Sequence, residues 1–318
     1  MSRRGWVLFA AMCVIWGIPY LLIKVAVEEL HPATLVFART AIAALILVPI
    51  ALATGQFRGL RAVRLPLVVF TLIEICGPFV LLGYAEQRLS SSLTGLLVSA
   101  VPLVGAVIAR FSGQHERLGP ARLTGLLLGV AGVAALVGLD LGTAEVPALL
   151  AMCGVALGYA IGPVILNSRL SEQPSLGVVA ASLTIAAVFY LPVGAWQAPR
   201  EWPSADVLFA VGTLAVVCTA LAFLIFFRLI AEVGPPRATV ITYVNPAVAL
   251  LLGILVLDEK FTIGTGVGFV LVLAGSVLAT SGGRVTAAAE AEPEPEREPE
   301  TAGELTCRSF GAAPVPEP

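Results

Sequence analysis

Two stretches of this chain carry the same landmarks in the same order. Gly234 precedes Pro246 by 12 residues, and Ser90 precedes Pro102 by 12. Glu259 precedes Gly268 and Gly275 by 9 and 16, and Glu116 precedes Gly125 and Gly132 by the same 9 and 16. One residue of adjustment, 13 against 14 between proline and glutamate, reconciles the two. In the later copy the runs Arg237–Leu257 and Thr262–Ser281 flank Asp258-Glu259-Lys260. A run of about 20 apolar residues crosses a hydrocarbon layer of about 30 Å as a helix. A duplicated pair of such runs sets the architecture before any other feature does.

Ten runs of this kind are legible: Gly5–Val27, Ala33–Ala53, Leu65–Tyr84, Ser91–Ala109, Pro120–Leu139, Val146–Leu166, Leu176–Trp196, Ala205–Phe227, Arg237–Leu257 and Thr262–Ser281. They are apolar on every side, which excludes the alternating strands of a membrane barrel. Only 13% of residues are charged and 58% are hydrophobic; soluble domains carry roughly 25% charged residues. The fold class is therefore an all-α integral membrane protein with ten transmembrane helices. The stretch after Arg3-Arg4 is too long for a signal peptide and lacks a cleavage site, so it counts as the first span.

The halves are residues 5–140 and 146–282, five spans each. An odd number of spans per copy places the copies upside down relative to one another, with Glu116 and Glu259 on opposite sides. With the N-terminus inside, the inner segments collect twelve basic residues and the outer loops only Arg88, Arg200 and Lys260. That bias predicts cytoplasmic termini in the cell (inner) membrane. Inverted repeats are a plan of secondary transporters, whose central site opens to either side as the halves rock. The tail, residues 283–318, alternates Glu and Pro from Glu290 to Glu300 and is predicted to be disordered and cytoplasmic.

Prolines interrupt several spans: Pro19, Pro78, Pro102, Pro163 and Pro246. Each removes the N–H that would bond the carbonyl four residues earlier, and helices broken at matching places point to a transport site. Trp16-Gly17-Ile18-Pro19 matches Gly158-Tyr159 to Gly162-Pro163, and Pro102 matches Pro246. Glu74 lies near the middle of the third span, where a carboxylate must face a cavity or a partner, or carry a proton. It is the candidate proton carrier, or the counter-charge for a substrate amine. Arg39 is the candidate partner of Glu74 or of an anionic group. Lys24 reads as snorkelling to the interface. Trp16, Tyr20, Tyr159, Thr242, Tyr243 and Asn245 are candidate pocket residues. The glycine ladder Gly154, Gly158 and Gly162 reads as close helix packing.

The cysteines and the two histidines form no metal-ligand or catalytic spacing, and no phosphate-binding loop is present. No cofactor, metal or nucleic-acid partner is expected. The partners predicted are a small-molecule substrate, the lipid bilayer and protons, and dimerisation is not required to complete a pathway. Rival readings are an uptake carrier or uniporter of the same fold, and a membrane scaffold or receptor acting through the acidic tail.

Taken in order, the residues resemble the drug/metabolite transporter superfamily, in particular the ten-span EamA-like exporters, from Gly5 to Gly282. The likeness rests on Trp16-Gly17, Lys24, Pro32 and Arg39, then on Leu89 to Pro102, Glu116 and the glycines after it. In the second half it rests on Gly234-Pro235, Asn245-Pro246, Asp258-Glu259 and Gly268 to Gly275. The resemblance implies two inverted five-helix repeats, cytoplasmic termini, a central cavity, and export of amino acids, related metabolites or drugs, often linked to a proton or substrate gradient. The second half lacks counterparts of Lys24 and Arg39, so charged contacts are expected from the first half.

Overall fold

The computed structural model describes residues 1–111, 120–138 and 145–281. Glu116, His115 and the acidic tail lie outside the described residues. Those described are helical, with no strand among them.

The first span is α1 (Arg3–Ile15) and α2 (Pro19–Ala26), and the second is α3 (Pro32–Ala53). The third is α4 (Arg64–Thr71), a π turn (Leu72–Cys76) and α5 (Gly77–Glu86). The fourth is α6 (Ser91–Val98) and α7 (Val101–Phe111), and the fifth is α8 (Pro120–Gly138). The sixth is α9 (Val146–Ile165) with a π turn (Leu166–Leu170), and the seventh is α10 (Ser175–Trp196). The eighth is α11 (Ala205–Ala215), a π turn (Val216–Leu221) and α12 (Ala222–Val233). The ninth is α13 (Pro235–Ala238) and α14 (Ile241–Val256), and the tenth is α15 (Ile263–Ser281). Among the described residues, seven spans are long and apolar enough to cross a membrane; Leu123–Val137, Ile241–Val256 and Ile263–Ala279 are shorter apolar stretches.

Local chemistry starts these helices where they start. Ser2, Ser90 and Ser204 each accept a backbone N–H three residues on, from Gly5, Leu93 and Val207, which satisfies one of the orphan donors of a helix N-terminus. Pro19 and Pro32 open α2 and α3, where a missing N–H costs nothing. Large apolar side chains such as Leu45, Leu65, Leu150, Phe209, Leu255 and Val270 stand exposed along the spans, as a lipid-facing surface requires. Trp196 and Trp202 are exposed at the ends of α10 and just before α11, the position of an interfacial aromatic belt.

The packing shows the inversion directly. Span 5 packs on span 10, span 2 on span 7 and span 4 on span 9, each helix against its own repeat-equivalent; span 1 packs on span 8 as span 6 packs on span 3. Exchanging the halves leaves that set of pairs unchanged. In the first three pairs the contacts run antiparallel. A β-carbon on Gly125 would lie 2.7 Å from the Gly275 carbonyl oxygen, and one on Gly268 would lie 2.9 Å from that of Gly132. Thr34 donates to the Gly194 carbonyl at 3.2 Å near the start of α3, while Gln56, just past its end, meets Gly177. Ser92 faces Leu250 and Gly253, while Gly95 faces Ala249. Equivalent helices packed antiparallel mean that one repeat is the other turned over.

Candidate functional site

Arg39 sits in the interior of α3 and is only 8% exposed. Its Nε donates to the Thr219 hydroxyl at 2.8 Å, and its guanidinium lies over the Phe79 ring, 4.1 Å from the centroid. The Thr219 hydroxyl donates in turn to the Leu214 carbonyl, five residues back, at 2.7 Å. That spacing belongs to the π turn Val216–Leu221, which therefore aims the hydroxyl oxygen at Arg39. Tyr20, Tyr159 and Cys218 all lie within Coulombic range of the guanidinium.

Glu74 is carried by the π turn of span 3, Leu72–Cys76, in which the Gly77 N–H reaches back to Leu72. The two turns occupy matching places: both pairs Leu72/Val216 and Pro102/Pro246 are separated by 144 residues. The span 6 glycines make room for the first of them. Gly162 faces the Glu74 carboxyl, Gly158 faces the Ile73 carbonyl and Pro78, and Gly154 faces Leu81. The ladder is thus a packing face, and its deepest notch holds a carboxyl group. Glu74 Oε2 is buried without a hydrogen-bond partner. Tyr159, between the two notches, is within Coulombic range of both Glu74 and Arg39. Tyr190 secures the turn from span 7, donating to the Cys76 carbonyl at 2.9 Å.

Of the two partners considered for Arg39, Glu74 forms no ion pair with it among the described residues. Arg39 is held by Thr219 and Phe79, and Glu74 is turned into the Gly162 notch. Tyr20, Arg39, Glu74 and Tyr159 are nonetheless brought together along one seam by spans 1, 2, 3 and 6, with Thr219 from span 8.

The remaining candidates are placed elsewhere. Trp16 meets Phe223 edge to face and Phe226 at a tilt, with ring centroids 6.0 Å and 4.7 Å away. Thr242 is exposed and donates to the Thr239 carbonyl at 2.8 Å, and Tyr243 is half-buried on α14. Asn245 is buried; oriented so that its amide is satisfied, its nitrogen donates to the carbonyls of Ile241 at 3.0 Å and Cys13 at 3.1 Å. The Cys13 carbonyl needs that donor because the Gly17 N–H bonds Val14 instead at the span 1 break. Asn245 therefore stitches span 9 to the interrupted part of span 1.

The prolines divide into two sets. Pro19, Pro78 and Pro102 stand at the first or second position of α2, α5 and α7, each directly after an interruption. Pro163 and Pro246, expected as breaks, lie inside α9 and α14. The helix runs on past Pro163 because the Leu166 N–H reaches the Gly162 and Pro163 carbonyls. The span 9 interruption falls earlier, at Thr239–Val240, where tight turn bonds replace the helical ones.

Sequence reasoning missed Thr219, Phe79 and Glu86. Thr219 and Phe79 carry no signal of their own inside apolar runs. Glu86 was legible in principle: the third span extends to Glu86 rather than ending at Tyr84, so two more residues would have brought a carboxylate into it.

The profile of the EamA-like transporter family matches residues 3–138 and again 146–281, the two halves of this fold. The chain belongs to the EamA-like transporter family. Among its EamA-like relatives are the uncharacterized transporter YvbV of Bacillus subtilis, 26% identical over 86% of this chain and 90% of that protein. The uncharacterized inner membrane transporter YedA of Escherichia coli is 27% identical over 76% of this chain and 79% of that protein. An uncharacterized transporter of Archaeoglobus fulgidus is 22% identical over 86% and 97%. A solved crystal structure, 23% identical, superposes with a TM-score of 0.62 over 88% of this chain and 98% of that one, and so shares this fold. The protein is accordingly a multi-pass membrane transporter of small molecules.

Proposed function

We propose that this EamA-like chain exports a small metabolite, amino acid or drug across the cell (inner) membrane by alternating access, with proton movement linked to it. Both termini face the cytoplasm in this reading, and one chain suffices. The observation that carries it is the pair Arg39 and Glu74. One cationic and one acidic group sit on the seam between the repeats, without each other as partner and both within Coulombic range of Tyr159. An Arg with no carboxylate partner keeps most of its fork of donors for an anionic group. A carboxyl in a protein notch is available for an amine or a proton. The two π turns that present Thr219 and Glu74 hold the local backbone irregularity that a moving helix needs, and such turns recur at functional sites. The inner-membrane placement is supported by the inner membrane relative from Escherichia coli and by the basic bias of the segments assigned to the inside.

Purified protein reconstituted in vesicles tests the reading. Counterflow of candidate amino acids, nucleosides and cationic drugs, with and without a pH gradient, is expected to be saturable and to weaken in both Arg39→Lys and Glu74→Gln. Counterflow by Glu74→Gln equal to wild type across a pH series removes Glu74 from proton coupling. Counterflow insensitive to the gradient in wild type favours a uniporter instead.

A further inference from the structure

Glu86 ends α5 with its side chain fully buried, at 0% exposure. Neither carboxyl oxygen has a hydrogen-bond partner. The cation beside it does not neutralise it by contact. The Lys24 ammonium donates instead to the backbone carbonyl of Glu86 at 2.7 Å, an orphan acceptor of the α5 C-terminus that attracts a cation, and to that of Leu89, in the link to α6, at 2.9 Å. Across the gap stands Glu259, in the link between α14 and α15. Its oxygens accept the N–H groups of Ser91 at 2.6 Å and Ser92 at 2.9 Å, at the start of α6. Spans 1, 3, 4 and 9 thus meet in one closed knot at this end of the bundle.

The titratable groups facing Glu86 are Lys24 and Tyr20 from α2 and Glu259 from the α14–α15 link. Arg39 on α3 and Tyr159 on α9 come within range of Tyr20 rather than of Glu86. The residues of α6 contribute no ionisable group. A bare carboxylate here would be fully buried with no protein donor, and with a second carboxylate nearby. Such a charge costs several kcal/mol, and a bound proton removes it.

We propose that Glu86 is a proton-binding site, occupied when this end of the bundle is closed and vacated when it opens. The proposal rests on the transport reading for its purpose. As the knot of Lys24, Glu86, Ser91 and Glu259 forms, Glu86 takes a proton from water at this mouth. As the knot parts, water reaches the carboxyl and the proton returns to it. Lys24, released from the two carbonyls, then becomes the counter-ion. Closure at this end consumes one proton from this side and opening gives it back, which makes Glu86 a pH-sensing group of this gate, separate from Glu74.

Infrared spectroscopy of the purified full chain in lipid tests the site without needing a substrate. At neutral pH a protonated-carboxyl C=O band is expected that disappears in Glu86→Gln, shifts in Glu86→Asp and survives in Glu74→Gln. A wild-type band unaffected by both Glu86 variants, or no such band, overturns the proposal. Gating is read from a cysteine at Ser90 in a background lacking the native cysteines. Its reaction with an impermeant maleimide, divided at each pH by that of a free thiol to remove the thiolate's own pH dependence, is expected to rise at least tenfold from pH 5 to pH 8 on its own side, and to lose that slope in Glu86→Gln. The same slope in Glu86→Gln, or a slope set by sodium rather than pH, overturns it. These outcomes separate from the transport reading: a Glu86 band in a chain that moves no solute sinks transport alone, and solute movement without that band sinks the proton site alone.

Discussion

A β-carbon placed on Gly125 would lie 2.7 Å from the carbonyl oxygen of Gly275, so these two glycines bring spans 5 and 10 together backbone to backbone. The repeat-equivalent pair, Gly132 and Gly268, makes the same approach at the other end of the contact. The landmarks that reveal the duplication in the sequence are therefore the residues that build the two-fold contact between the copies. Gly125→Val is expected to destabilise by about 1–3 kcal/mol or more, because backbone cannot yield as a side chain can. Gly105 is the control: a β-carbon there meets nothing within 4 Å, and Gly105→Ala is expected to keep the wild-type melting temperature. Thermal unfolding in detergent, followed by fluorescence, measures both.

The fit of Glu74 into the Gly162 notch predicts strong coupling between these two positions. Gly162→Ala drives a methyl into the carboxyl and is expected to lower the melting temperature. Glu74→Ala in the same chain removes the obstacle, so the double variant should recover most of the loss. An interaction energy of about 0.5–3 kcal/mol in that double-mutant cycle is expected for groups in contact. Strict additivity would place Glu74 elsewhere.

Arg39 and Thr219 form a second coupled pair. Thr219→Val deletes the acceptor of a charge-assisted hydrogen bond worth about 1.5–3 kcal/mol and frees the guanidinium to swing toward Glu74. Arg39→Lys removes both the fork and the stacking on Phe79. Either change is expected to weaken binding of an anionic solute by about tenfold or more, the equivalent of about 1.4 kcal/mol, while a neutral solute is little affected. Titration of reconstituted protein with matched acid and amide ligands reads the difference; equal weakening for both forms would remove Arg39 from the site.

Asn245 supplies the donor that the interrupted first span lacks. Asn245→Leu leaves the Cys13 carbonyl buried without a partner, at a cost of about 1–3 kcal/mol. Hydrogen exchange is expected to accelerate in α1 and in the turn at Trp16–Ile18, with α10 unchanged. Uniform acceleration through the chain would instead mark a general loss of packing.

Much of this architecture was written in periodicity and spacing. Ten apolar runs, their division into two halves and the glycine landmarks are all one-dimensional signals. Glu74 and Arg39 stood out because charge inside an apolar run is costly whatever surrounds it. The π turns were not legible on the same terms. Pro78 hints at the first, since it leaves the Glu74 carbonyl without its usual donor. The turn Val216–Leu221 has Ala222 at the equivalent position, so no proline marks it, and it packs against Arg39 and span 2. Pro163 and Pro246 misled for the converse reason: a proline frees a carbonyl, but neighbouring helices decide whether the backbone breaks there. Glu86 was lost to a boundary placed two residues early, and only the fold brings Glu259 to it.

The inverted relation of the two repeats is the claim on which the seam, the paired π turns and alternating access all depend. The loop between spans 2 and 3 and the loop between spans 7 and 8 are repeat-equivalents, and Arg58 and Arg200 stand exposed in them. Single cysteines at these two positions, in a chain freed of its native cysteines, can be labelled with an impermeant reagent in intact cells and in inverted vesicles. The account predicts that position 200 reacts only from outside and position 58 only from the cytoplasmic side. Labelling of both positions from the same side would contradict it.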